Sequence, residues 1–186
     1  GIDVLVNNAG NGYLSAIEEG EDEQVRKLFD TNYFGVVDTI KAVLPEMRAR
    51  KEGHIINISP MTGLVANPPN AYYSSTKFAL EALTEALAQE VKPFGVEVTA
   101  IEPGAFRTEG WEATYDEGVG NDMAGVPLPY PGRPSDVANA AVFLASPAAA
   151  YITGECLYVD GGMILQGPIS ALAKGAYPER GGPGAG

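Results

Sequence analysis

Residues 54–77 read HIINISPMTGLVANPPNAYYSSTK. The stretch begins as an apolar strand and runs into Ser59-Pro60. It crosses a turn rich in Pro, Asn and Gly, then ends in Tyr73-Ser-Ser-Thr-Lys77 where a helical pattern starts. A strand, a turn and a helix in this order are half of a parallel crossover unit. The rest of the chain repeats the alternation. IDVLVNNAG (2–10) is a strand stopped by Asn7-Asn8 and Gly10. A helix follows, with Val25, Leu28, Phe29, Asn32, Val36, Ile40, Val43, Leu44 and Met47 on one 3.6-period stripe. Pro45 predicts that it bends or ends there.

GHIINIS (53–59) is the second strand, and the helix from Tyr73 carries Leu80, Leu83, Leu87 and Val91 on one face until Pro93 and Gly95 stop it. VEVTAIEPG (96–104) is the third strand, SDVANAAVFLAS (135–146) a third helix with Ser135 as N-cap, and CLYVDGG (156–162) the fourth strand. Strands alternating with helices predict an α/β fold with a doubly wound parallel sheet. Runs such as Val4-Leu5-Val6 and Ile55-Ile56 suit strands covered on both faces.

Composition narrows the function classes. The 186 residues are 45% hydrophobic and 19% charged, which suits one globular domain. A net charge of −12 argues against nucleic acid or an anionic membrane as partner, since both reward clustered Lys and Arg. The lone Cys156 excludes an internal disulfide and fits a reducing, cytoplasmic setting; it reads as a small buried apolar residue. No apolar run reaches membrane-spanning length. No His/Cys/Asp grouping has the spacing of a metal site, so no metal is expected. His54, after Gly53, reads as exposed. The acidic loop through residues 109–132 is expected to cover a substrate; its Trp111, Tyr115, Met123 and Tyr130 line an apolar pocket or pack on their own loop. The tail 166–186 reads as partly disordered.

Three positions carry chemistry. Asn32 sits on an apolar stripe, where an amide must find partners. It is either a structural amide or one that holds a water or side chain in a site. Tyr73 and Lys77, at i and i+4, share a helix face, and a close ammonium is expected to lower the phenol's pKa toward usefulness as a proton donor or acceptor. Alone, this pair is weak evidence. In sequence with NNAG (7–10), Thr31-Asn32, NIS (57–59), EPGAFRT (102–108) and ITGECLYVDGG (152–162), it resembles the short-chain dehydrogenase/reductase family over residue 1 to about residue 163.

The resemblance implies the C-terminal part of a Rossmann-type sheet, NAD or NADP as cofactor, and hydride transfer between the nicotinamide and the carbon of a secondary alcohol or ketone. It implies Tyr73 as acid/base, Lys77 as the residue that tunes it and holds the nicotinamide ribose, and Asn32 as holder of a relay water. Asn8, Ala9 and Gly10 match the turn along the cofactor. Pro103 and Gly104 match the loop under the nicotinamide, and Phe106 and Thr108 match further cofactor contacts. Relatives are usually homodimers or homotetramers. EPGAFRT resembles members that act on varied alcohols and ketones; YITGECLYVDGG resembles sugar-alcohol and acyl-chain reductases.

Two departures stand out. The family's serine lies thirteen residues before the tyrosine and three before a glycine, and both rulers point to Pro60, which has no hydroxyl. Ser59 is a candidate replacement, but strand alternation turns it to the other face unless a bulge intervenes; Thr62 is a weaker one. No G-x-G-x-x-G phosphate turn follows the first strand, since Ser15 stands where the third Gly of Gly10-Asn11-Gly12 would be. The expectation is therefore a chain cut short at its N-terminal side, with the residues that select NAD or NADP missing. An inactive scaffold with this fold is the alternative to an enzyme.

Overall fold

The computed structural model describes residues 1–64, 66, 68–106, 126–128 and 130–165. Thr108, Trp111, Tyr115, Met123 and the tail 166–186 lie outside them. The elements run β1 (Val4–Asn7), α1 (Asp22–Phe29), a π-helical turn (Asp30–Phe34), α2 (Gly35–Arg50), β2 (Gly53–Ile58), α3 (Ala71–Val91), β3 (Val96–Pro103), α4 (Pro134–Leu144) and β4 (Cys156–Val159). The strands form one parallel sheet in the order β1-β2-β3-β4, with Val4 opposite His54, Gly53 opposite Val96 and Ala100 opposite Cys156.

Side chains alternate across this sheet, so β1, β2 and β3 each feed two cores. Ile55 and Val98 pack with Val36, Ile40, Met47, Leu80, Leu87 and Val91 under α2 and α3. Ile56 and Ile101 pack with Leu144 and Ala149 on the opposite face, under α4. Each fully buried Ile or Leu contributes roughly 1.5–3 kcal/mol of hydrophobic free energy. The expected doubly wound α/β architecture is therefore present.

Four local expectations need correction. Pro45 does not end its helix: α2 continues to Arg50. Pro45 and Lys41 are both exposed, so the carbonyl that loses its helical partner is open to water. The N-cap of α4 is Arg133, whose N–H donates to the Asp136 carboxylate at 2.8 Å; Ser135 lies inside the helix because Pro134 takes the first helical position. His54 is buried, at 5% exposure, with Nδ1 3.0 Å from the Leu144 carbonyl and Nε2 on the Thr99 hydroxyl. A strand covered on both faces offers no exposed side, and these two partners make the imidazole tolerable. Burial lowers its pKa, against the raising effect of the Leu144 carbonyl, so it sits neutral. Cys156 is only half-buried, and its thiol lies 3.6 Å from the Glu81 carboxylate rather than among apolar groups.

Candidate active site

The carboxyl ends of β1, β2 and β3 open onto one region, the usual binding edge of an open α/β sheet. A cleft of about 710 Å³ lies there, lined by Val6, Asn8, Ile58, Pro103, Phe106 and Val137 among others. Gly104 is held in its floor by its N–H donating to the Val159 carbonyl at 3.0 Å. A Cβ on Gly104 would stand 2.7 Å from Asp160 Cα, so this close approach needs glycine. Asp160 fixes the following turn by accepting N–H groups from Gly162 and Ile164 at 2.8 and 2.6 Å.

Asn32 enters from the π-helical turn between α1 and α2. An extra residue in one turn breaks the regular ladder and aims side chains that an unbroken helix would place elsewhere. Asn32 is fully buried. Its Oδ1 accepts the Asn11 N–H at 2.8 Å, and its Nδ2 donates to the Asn11 carbonyl at 2.9 Å and to Thr76 Oγ1 at 3.2 Å. The amide thus pins the loop after β1, which carries Asn8, Ala9 and Gly10. Gly10 leaves room between two polar groups: a Cβ there would meet Asn32 Oδ1 and Lys77 Nζ at 3.5 Å each.

Tyr73 lies in the first turn of α3 and Lys77 one turn later. Lys77 is 4% exposed, and its Nζ is 3.4 Å from the Ile58 carbonyl and 5.9 Å from the centre of the Tyr73 ring. Burial raises the Tyr73 pKa, and the nearby Thr62 hydroxyl lowers it. Burial lowers the Lys77 pKa, and the Glu81 carboxylate raises it. The expected lowering of the phenol by Lys77 is not what this geometry gives, because desolvation of the phenolate dominates.

The two hydroxyls near Pro60 differ in position. Ser59 donates its backbone N–H to the Ile101 carbonyl at 3.0 Å, which keeps it in strand register. Its side chain is fully buried on the α3 face, its Oγ completes no hydrogen bond among the described residues, and a Cβ on Gly63 would meet that Oγ at 2.9 Å. Pro60 is extended, and a 3-10 turn, Met61–Gly63, follows it. The turn swings Thr62 toward Tyr73. Its buried Oγ1 lies near the phenol without completing a hydrogen bond.

The structure therefore brings Gly10, Asn32, Tyr73 and Lys77 together and places Pro103, Gly104 and Phe106 along the neighbouring cleft. Thr76 was absent from the sequence reading, though its position on the Tyr73–Lys77 face was available. Glu81, Glu102 and Cys156 also meet, with one ligand atom from each within 4.8 Å of the others. Their linear separation concealed the grouping.

A family model described as enoyl-(acyl carrier protein) reductase matches residues 1–164. The chain is 38% identical over 165 residues to the 3-oxoacyl-(acyl-carrier-protein) reductase FabG of Vibrio cholerae, covering 89% of this chain and 68% of that protein. The Staphylococcus aureus protein of the same name is 37% identical over 164 residues, covering 88% and 67%. Among solved structures, ElxO with NADP bound superposes with a TM-score of 0.81 at 35% identity, over 88% of this chain and 68% of that one. A gluconate 5-dehydrogenase from Burkholderia cenocepacia, in complex with NADP and tartrate, gives 0.84 at 34% identity, over 88% and 65%.

Proposed function

The chain belongs to the short-chain dehydrogenase/reductase family, and from that premise we propose that it is an NADP- or NAD-dependent oxidoreductase acting between a ketone and a secondary alcohol. The observation that carries the reading is the meeting of Tyr73, Lys77, Asn32 and Gly10 at the carboxyl edge of the sheet. The 710 Å³ cleft has the carbon-rich lining that a flat nicotinamide ring needs, and Gly104 lets this wall pack closely on Asp160. Bound there, the nicotinamide supplies or accepts the hydride.

The chain's own residues do the rest. The Tyr73 hydroxyl donates a proton to the developing alkoxide in reduction and accepts one in oxidation. The Lys77 ammonium, once solvated or paired by a ligand, favours the phenolate and holds a ribose hydroxyl. Asn32 fixes the Asn8–Gly10 loop against the cofactor. Phe106 and Thr108 complete the cofactor contacts, and Thr62 takes the place of the hydroxyl missing at Pro60. The substrate is a small ketone or alcohol, with neither nucleic acid nor a membrane as partner, and the protein works as a homodimer or homotetramer. Similarity to proteins named as 3-oxoacyl reductases and a gluconate dehydrogenase supports a hydroxyl-bearing or acyl-chain substrate.

Pro60 favours a second reading, a non-catalytic scaffold of the same fold. Titrating NADPH and NADH into the protein, as this chain and as the complete product of its gene, separates the two through nicotinamide fluorescence. Saturable binding supports the enzyme, and a folded protein that binds neither nucleotide sinks it. Given binding, Pro60→Ser is expected to raise kcat by about 10-fold or more, since one positioned donor can contribute on the order of 10²–10³.

A further inference from the structure

Beneath the catalytic helix, on the α3 face of the sheet, three side chains from three elements converge. Glu81 comes from α3, one turn past Lys77; Glu102 comes from the end of β3; Cys156 starts β4. One ligand atom from each lies within 4.8 Å of the other two. Glu102 is fully buried, and among the described residues neither carboxyl oxygen completes a hydrogen bond, the Cys156 thiol being its nearest donor. Glu81 Oε1 and Ser59 Oγ are likewise buried; the Ser59 hydroxyl lies close enough to the Glu81 carboxylate to favour its charged form, and no other described residue bonds either oxygen. Buried carboxylates are normally paired or bind a cation, because an isolated one loses its hydration with nothing in return.

We infer that Glu81, Glu102 and Cys156 form a binding site for one divalent cation of borderline softness, Zn²⁺ being the best match. The donor set decides the ion. Two carboxylates alone suit Mg²⁺ or Ca²⁺, but a sulfur donor selects against both. Zn²⁺ accepts sulfur at about 2.3 Å and carboxylate oxygen at about 2.0–2.2 Å, so its ligand atoms stand roughly 3.3–3.7 Å apart. Side-chain rotation of about 1 Å closes the present triangle to that size. The Ser59 hydroxyl or a water takes the fourth position. Glu81 and Cys156 are half-buried, which gives the ion a way in.

Electrostatics agree with the geometry. Burial and the charges of Glu81 and Asp160 push Glu102 up to about 7. Burial and both glutamates push the Cys156 thiol up to about 12. A cation at the centre opposes these shifts, favouring the ionised carboxylates and drawing the thiol proton off. The bound ion would join α3, β3 and the short edge strand β4 at one point, a structural clip outside the Tyr73 machinery.

The test is titration of the chelator-treated full chain with Zn²⁺ against a chromophoric competitor, repeated with Co²⁺. The site holds if one equivalent binds with a Kd below 10 μM, if Co²⁺ produces a near-ultraviolet thiolate-to-metal band, and if Glu102→Gln and Cys156→Ser each weaken binding by roughly 100-fold or more. Cys156→Ser is the fallback if Glu102→Gln fails to fold. No single tight equivalent, no thiolate band, or equal affinity in both folded variants overturns the site. The last result would assign the metal to the acidic surface, and the first would leave two carboxyls sharing a proton.

Discussion

Two polar groups of side chains lie under the same face of the sheet, and their hydrogen bonding is opposite. Below β1 and β2, Asn7 Nδ2 donates to Asn57 Oδ1 at 2.9 Å, Asn57 Nδ2 donates to Thr84 Oγ1 at 2.9 Å, and the Thr84 hydroxyl donates to the Leu80 carbonyl at 2.8 Å. The Thr39 hydroxyl closes the chain on Asn7 Oδ1 at 2.8 Å. A few residues along, below β3 and the turn after β2, Ser59, Thr62, Glu81 and Glu102 hold buried oxygens that no described residue bonds in good geometry. The first group is complete and serves the fold. The second is incomplete, and buried incompleteness marks where substrate, proton or ion belongs.

That contrast can be broken at several points. The largest effect is expected from Tyr73→Phe, which should lower kcat by about 10²–10⁴ while leaving urea stability within 1 kcal/mol; a variant keeping a tenth of the rate removes Tyr73 from the acid/base role. Glu102→Gln comes next. With its folded pKa raised to about 7 from 4.5, Glu102 binds its proton more tightly in the folded chain. Its contribution is full below pH 4.5 and falls away as pH rises through 7, by roughly 3 kcal/mol at 1.4 kcal/mol per unit. In chelator, wild type should therefore lose stability across that window relative to Glu102→Gln. Parallel pH–stability curves would show that the carboxyl is already ionised at little cost.

Asn57→Ala, in the complete group, should destabilise by about 2–3 kcal/mol in urea melts, because Asn7 and Thr84 lose a buried partner. A loss under 0.5 kcal/mol would show that the chain of amides is dispensable. Thr62→Val gives the smallest change, about 10-fold in kcat with stability unchanged or slightly higher, since it removes a hydroxyl that the fold leaves unpaired. A stability loss without a rate effect would move Thr62 into the structural group and end the comparison.

How much of this was legible depended on range. Strands such as Ile55-Ile56 and the helical stripes are local patterns, so the α/β order could be read directly. Tyr73, Lys77 and Asn32 stood out as candidates through their places in those patterns together with the family resemblance. His54 was misread because its partners, Leu144 and Thr99, are 90 and 45 residues away. The position of Thr62 was not legible, because the 3-10 turn after Pro60 interrupts strand alternation. Glu102 reads as one more acid in a chain of net charge −12 until β4 is set beside it.

The π-helical turn at Asp30–Phe34 makes the site unusually sensitive to chain length. A π turn holds one residue more than an α turn, so deleting a single residue there, Tyr33 for instance, would let α1 and α2 join as an unbroken helix. Leu28 before the turn and Val36, Ile40 and Met47 after it are fixed by packing, and the two helices could absorb the change by a rotation of about 100° shared between them. Asn32 would then leave the Asn11 backbone, and the loop that carries Gly10 would lose its anchor. A three-base deletion in frame could thus silence the site while sparing most of the fold, a route to loss of function that touches neither Tyr73 nor Lys77.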